Sequence, residues 1–255
     1  MAPQSCEQES VRGAELHGRA KAFCSILAGG IGKRMGGGLP KQFILLKGVP
    51  IIIRTLRSVL ACDEFTAVAV AVHPEWESEF CRMLSQYGID QSRIVITYGG
   101  HERHDSILNT LLVIKDRFAV SEEDVVVVHD AVRPFVSKKV LLDSIAVASK
   151  FGACVATLPA VDTMLVVKDG NVTAVPRRAE LYHGQAPDSA RLLLLERSIL
   201  ALSPVERKTI TGTAQICILK GIPVRAIDGD SDNIKITTPH DMEVAERILE
   251  KRGEL

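Results

Sequence analysis

The apolar run Ala22-Phe23-Cys24-Ser25-Ile26-Leu27 breaks directly into Ala28-Gly29-Gly30-Ile31-Gly32-Lys33-Arg34-Met35. A short apolar run bounded by glycines reads as a buried strand. The glycines fall where that strand turns towards a helix, so backbone amides become free to face an anion. Cations follow at Lys33, Arg34 and, within Leu39-Pro40-Lys41-Gln42-Phe43, at Lys41. An arginine forks onto phosphate oxygens and a lysine supplies a point charge on a flexible stem, so the loop is suited to phosphates. A Walker loop would need glycine at Leu27 and Ser or Thr at Arg34. A dinucleotide fingerprint starting at Gly30 and Gly32 would need a small residue at Met35. Neither fits.

Downstream, apolar and β-branched runs alternate with amphipathic stretches: Ala22–Leu27 then Pro50–Leu60, Thr66–Val72 then Glu75–Gln86, Ile94–Tyr98 then Ser106–Phe118, Val125–Val128 then Lys139–Lys150. This alternation predicts an α/β fold with a mainly parallel sheet covered on both faces, where ligands collect at the carboxyl ends of strands. A further strand is expected at Ala153–Leu158. The turn Lys168-Asp169-Gly170-Asn171 between two β-rich pieces then predicts a protruding β-hairpin arm at about 160–182. An isolated two-stranded arm is marginal in water, so a homodimer packed through the arm is expected. Helices are expected at Ser189–Leu202, Thr211–Lys220 and Pro239–Arg252, with a strand at Ile222–Ile227.

The 255 residues carry no Pro/Gly/Ser-rich linker, so a single domain over 21–255 is expected, preceded by a flexible extension over 1–20. With 31 basic and 31 acidic side chains there is no global field to attract nucleic acid or an anionic membrane, and any anion site must be local. The six cysteines form no C-x-x-C pair and read as small buried hydrophobes, not a zinc site or a disulfide framework. A soluble, cytoplasmic protein is the expectation.

Other chemistry clusters in four places. Val128-His129-Asp130-Ala131-Val132-Arg133-Pro134-Phe135 puts a carboxylate after a valine strand, either salt-bridged to Arg133 or poised to hold Mg²⁺. Gly99-Gly100-His101-Glu102-Arg103-His104-Asp105-Ser106 is a glycine loop whose serine could instead cap the next helix. Asp162-Thr163-Met164 and Arg177-Arg178-Ala179-Glu180-Leu181-Tyr182-His183-Gly184-Gln185-Ala186-Pro187 lie in and after the arm. Asp232-Asn233-Ile234-Lys235-Ile236-Thr237-Thr238-Pro239 lies near the end.

Together with the first loop, these segments resemble, in order and spacing, the cytidylyltransferases that act on methylerythritol phosphate or ribitol phosphate. The resemblance runs from about Ala22 to Leu249. It implies a three-layer, Rossmann-like nucleotidyltransferase fold that transfers CMP from CTP to a polyol phosphate and releases pyrophosphate. Arg34, Lys41 and Lys235 would be catalytic cations. Ala28, Gly29, Gly30, Gly32, Gly99, Ser106, Asp130 and Ala131 would meet the nucleotide. Thr163, Arg178 and Arg133 would hold the acceptor, the arm residues from across a dimer interface, and Asp130 would position Mg²⁺, with Asp230 or Asp232 as helpers. The chain departs from the pattern at Arg177 and Gly212, where relatives carry aspartate, and at Ala186, where they usually carry threonine.

The opening Leu-Ala-Gly-Gly and the Ile236-Thr237-Thr238-Pro239 ending favour ribitol 5-phosphate as acceptor. The alternative is 2-C-methyl-D-erythritol 4-phosphate, a precursor in isoprenoid biosynthesis. A non-catalytic nucleotide-binding scaffold dimer is the rival from another class, and a glycosyltransferase is disfavoured by the lack of a well-placed D-x-D motif.

Overall fold

The computed structural model describes residues 20–30 and 39–254. Strand β1 (Ala22–Ala28) is followed by a small hairpin, β2 (Leu45–Leu46) and β3 (Val49–Pro50), and then by helix α1 (Ile51–Leu60). The alternation continues with β4 (Phe65–Val72), α2 (Glu77–Gln86), β5 (Ile94–Tyr98), α3 (Arg103–Arg117), β6 (Val125–Asp130), α4 (Lys138–Phe151) and β7 (Ala153–Pro159). After the arm, β8 (Val166–Lys168) and β9 (Asn171–Ala174), come β10 (Tyr182–Arg191), α5 (Leu192–Leu200), α6 (Pro204–Arg207), α7 (Thr213–Leu219), β11 (Arg225–Asp228) and α8 (Pro239–Arg252).

The main sheet has seven strands in the order β11-β7-β10-β6-β1-β4-β5. All its pairings are parallel except those of β10, which runs antiparallel between β6 and β7. Because successive side chains on a strand point to opposite faces, the near-continuous apolar runs feed two cores. Cys24, Ile26, Val68, Val70, Val125 and Val127 pack with α1, α2 and α4 on one face. Phe23, Ala67, Ala69, Val126 and Val128 pack with α3, α5 and α7 on the other. A third cluster, with Leu46, Val132, Phe135, Ile236 and Leu249, ties the 230s segment and α8 to the loop after β6 and to the β2–β3 hairpin. The layering agrees with the α/β expectation, and no described helix is long and apolar enough to cross a membrane.

Several elements differ from the sequence-based expectation; the strand expected at Ile222–Ile227 runs instead over Arg225–Asp228. Helix was expected from Ser189, but Ser189–Arg191 end strand β10 and the helix starts at Leu192. The strand carries few β-branched or large apolar residues, and its pairing breaks between Gln185 and Asp188, so only the neighbours β6 and β7 make it a strand. Helix α3 begins three residues before Ser106, with Glu102 as its N-cap and Asp105 closing a capping box. Ser106 is therefore not the cap. Strand β6 runs two residues past the valines and ends on Asp130. In the arm, Lys168 pairs with Asn171 across Asp169 and Gly170, whose φ values of 49° and 77° are those of a tight two-residue hairpin turn.

Candidate active site

The carboxyl ends of β1, β5 and β6 open onto one cleft, and main chain forms much of its floor. A Cβ on Gly99 would stand 3.1 Å from the Cα of Gly29, and one on Gly29 would stand 3.2 Å from the Cα of Gly99, so two backbones meet here with room for little else. A Cβ on Gly100 would collide with Asp105 in the first turn of α3. The Gly100 amide donates to Ser106 Oγ at 3.0 Å, which ties the glycine loop to the same helix. Gln42 is buried, and its Nε2 donates to the carbonyls of Ala28 at 2.6 Å and Gly30 at 3.1 Å, holding the main chain at the end of β1.

Two cavities share this cleft. One, of about 290 Å³, is lined by Ala28, Gly29, Gly30, Lys41, Ser106 and Ala131 among others. The second, of about 470 Å³, is lined by Arg133, Gln185, Ala186, Asp188, Thr211 and Gly212 among others. Arg103, Asp130 and Lys235 border both. At this seam Arg103 Nη1 lies 2.7 Å from Asp130 Oδ1, and Lys235 Nζ and Arg133 Nε lie 3.1 and 3.2 Å from Oδ2. Burial works to raise the Asp130 carboxyl, but the charges of Arg103, Lys235 and Arg133 overcome it and hold the group well below the usual carboxylate range. Three cations around one anion leave the seam net positive.

The seam is held from behind. Asn233 Nδ2 donates to the Ala186 carbonyl at 2.6 Å, Arg133 Nη1 donates to the Asn233 carbonyl at 2.8 Å, and the Ile236 amide donates to the Val132 carbonyl at 3.0 Å. These bonds bring Lys235, a hundred residues downstream in the chain, to the end of β6. Beneath it His129 is fully buried with Nε2 3.0 Å from the Arg133 carbonyl, and burial pushes its pKa down to about 4.

Of the site residues expected from sequence, Ala28, Gly29, Gly30, Lys41, Ser106, Asp130, Ala131 and Lys235 line the first cavity and Arg133 the second, while Gly99 lies against Gly29. Gly32, Lys33 and Arg34 fall outside the described residues. Thr163 and Arg178 are exposed on or beside the arm and line neither cavity; Arg178 Nη1 donates to the Val161 carbonyl at 3.2 Å. Asp232 pairs with Arg252 at 3.4 Å and Asp230 accepts the Asp232 amide at 2.9 Å.

Among the described residues no three His, Cys, Asp or Glu side chains converge, and both Asp130 oxygens face cations. The salt-bridged reading of Asp130 describes this arrangement, with Arg103 and Lys235 added to the expected Arg133. Sequence reasoning gave no role to Arg103, Gln42, Asn233 or Asp188. Arg103 and Gln42 stood inside quoted motifs, whereas Asp188 carried no signal.

A sequence model of the 2-C-methyl-D-erythritol 4-phosphate cytidylyltransferase (IspD) family matches residues 23–251. The chain belongs to this family. It is accordingly a nucleotidyltransferase, with the family's mostly parallel sheet. The IspD structure from Francisella tularensis aligns with a TM-score of 0.75 at 28% identity, covering 89% of this chain and 99% of that one. The 2-C-methyl-D-erythritol 4-phosphate cytidylyltransferase from Thermus thermophilus aligns at 0.69 and 26% identity, covering 90% and 99%. The synthase from Anaerococcus prevotii, at 24% identity and a TM-score of 0.74 over 91% and 96%, shares the fold. The sequence features that favoured ribitol 5-phosphate find no support in these matches, whose descriptions name methylerythritol compounds.

Proposed function

We propose that this protein transfers CMP from CTP to 2-C-methyl-D-erythritol 4-phosphate, releasing pyrophosphate, as a step of isoprenoid biosynthesis. The observation that carries the reading is the cationic seam: Arg103 and Lys235 border a glycine-floored cavity on one side and a polar cavity on the other. CTP occupies the glycine side and the acceptor the other, so the acceptor phosphate meets the α-phosphorus at the seam.

The attacking phosphate oxygen is already ionised near neutral pH, so the reaction needs no general base. The new P–O bond forms in line as the bond to pyrophosphate breaks, and the barrier is the approach of two anions. At about 4 Å and an effective dielectric of about 20, two like unit charges repel by roughly 4 kcal/mol. Fixed cations remove that repulsion in the transition state, where the charge is largest. Lys235 and Arg103 act at the α-phosphate, Lys41 and Arg34 along the triphosphate, and Arg133 on the acceptor phosphate. Asp130 holds Arg103, Arg133 and Lys235 converged. Mg²⁺ enters this proposal as an ion carried by the nucleotide's own phosphates, since magnesium keeps few protein ligands.

The arm completes the site from a second copy. Val161, Val167, Val172 and Val175 are 76%, 56%, 56% and 61% exposed, an apolar surface suited to a homodimer that would bring Thr163 and Arg178 to the partner's acceptor cavity. The test is pyrophosphate release with CTP and either methylerythritol 4-phosphate or ribitol 5-phosphate. The expected result is turnover with the former at least about tenfold more efficient. A preference for ribitol 5-phosphate would restore the acceptor favoured by the sequence alone, and no release with either would overturn cytidylyl transfer.

A further inference from the structure

One buried charge in the acceptor cavity has no part in the chemistry above. Asp188 resumes the pairing of β10 after its irregular stretch, opposite Val128 and Val155, and is 8% exposed. It borders the cavity together with Arg103, Arg133 and Lys235. Its Oδ2 accepts the Thr213 amide at 2.9 Å, and no other described residue donates to it. A carboxylate buried with so few donors is costly unless something else supplies hydrogen bonds.

Gly212 shows how the position is used. A Cβ there would stand 3.4 Å from Asp188 Oδ2, an ordinary contact, and the backbone at φ −158° and ψ 166° is extended, open to any residue. Neither strain nor crowding of the main chain calls for glycine. A side chain at 212 would grow towards the space the Asp188 carboxylate fills. An aspartate at 212 would bring a carboxylate to the same place from the opposite wall.

We propose that Asp188 is an acceptor-specificity residue, whose carboxylate takes hydrogen bonds from the hydroxyl groups of a polyol phosphate while the seam cations hold its phosphate. This rests on the cytidylyltransferase reading and adds to it the group that reads the acceptor's hydroxyl end. A carboxylate accepts and cannot donate, so it favours a chain of hydroxyls and repels a second anionic group. Burial pushes the Asp188 carboxyl up, an effect that Thr213 and the nearby Arg103 charge only partly offset, and hydroxyl donors from the acceptor would favour the ionised form.

The test is steady-state kinetics on the full chain with CTP and 2-C-methyl-D-erythritol 4-phosphate. Asp188→Asn keeps an oxygen for the Thr213 amide and removes the charge. It should raise the acceptor KM about tenfold or more, as expected for a hydrogen bond to a charged group, and leave the KM for CTP within about twofold. A double variant, Asp188→Gln with Gly212→Asp, returns a carboxylate from the other wall and should bring the acceptor KM back to within about threefold of the parent. A folded Asp188→Asn protein with unchanged acceptor KM, or one in which both KM values rise together, rejects the role. If Asp188→Asn does not fold, a folded double variant with an acceptor KM still raised about tenfold rejects it instead. An unmutated protein that releases no pyrophosphate with any polyol phosphate overturns the cytidylyltransferase reading itself, a result distinct from active protein indifferent to Asp188.

Discussion

The two cavities that meet at Asp130 are made differently. The nucleotide side is walled largely by main chain: Gly29 and Gly99 in contact, Gly100 pressed onto α3, and Gln42 holding the carbonyls of Ala28 and Gly30. The acceptor side is walled largely by side chains, from Arg133, Gln185 and Asp188 to Thr211 and Gln215. Backbone donors have one geometry and admit few residue types, because any Cβ would fill the space the ligand or the neighbouring loop needs. Side-chain donors and acceptors can be exchanged between walls. The departures at Ala186 and Gly212 fall on the acceptor side, which is where exchange costs least.

That contrast breaks if the halves prove independent of the seam they share. Arg103→Met removes the residue closest to Asp130 and should cost about 3 kcal/mol in denaturant unfolding, the low end for a broken buried pair because Arg133 and Lys235 remain. It should also raise the KM for CTP and for acceptor together, unlike Asp188→Asn. An effect on one substrate alone would mean that the seam belongs to one half. Lys235→Met, whose ammonium is less buried, should leave unfolding nearly unchanged and lower kcat about a hundredfold, the scale of one preorganised charge at a transition state. Lys41→Met should match it, with the loss carried on the nucleotide side. Stopped turnover assays under saturating CTP and acceptor separate these outcomes, and a folded Lys235→Met enzyme with undiminished kcat would remove the seam from the chemistry.

His129 tests the foundation under both halves. Its pKa in the folded protein is about 4 because burial disfavours the charged ring, whereas the unfolded chain titrates near 6.5. The unfolded state therefore binds more protons between those values, and stability is full above pH 6.5 and falls as the pH drops towards 4. Between pH 7.5 and 5 the loss should be about 2 kcal/mol, provided the ring stays neutral in the fold. The charged groups facing it are Asp130, Arg133 and Arg103. Urea unfolding of the parent and of His129→Gln at the two pH values reads the difference. A parent slope no steeper than that of the variant would show that the ring is not what acid attacks.

The same division explains what could be read from the chain without coordinates. Strands β1, β4 and β6 are near-continuous apolar runs buried on both faces, and β5 and β7 are short, partly buried apolar runs, so their composition announces them. The glycine loop and Lys41 carry a local physical signature. Strand β10 does not: Tyr182-His183-Gly184-Gln185-Ala186-Pro187-Asp188 contains no β-branched run, and it extends only because β6 and β7 flank it. Misplacing its end as helix concealed Asp188, since a residue on an unexpected strand has no assigned face. Lys235 was found through its motif, but its meeting with Asp130 depends on Asn233 and Ile236 bonding to residues far away in sequence.

The gentlest probe of the comparison restores a missing group on the acceptor side. Ala186 is 5% exposed and borders that cavity. Ala186→Thr adds one hydroxyl and one methyl to a wall that already holds Gln185 and Asp188. If side chains there are interchangeable parts, the new hydroxyl should find a polar partner on the acceptor and lower its KM by about threefold, the worth of one neutral hydrogen bond near 0.7 kcal/mol. The KM for CTP should stay put, because no part of the glycine side is touched. Crowding argues the other way, since a β-branched side chain in a buried position can displace its neighbours. The sign of the change in acceptor KM therefore decides whether the cavity has spare room for a relative's hydroxyl or has already closed around Asp188.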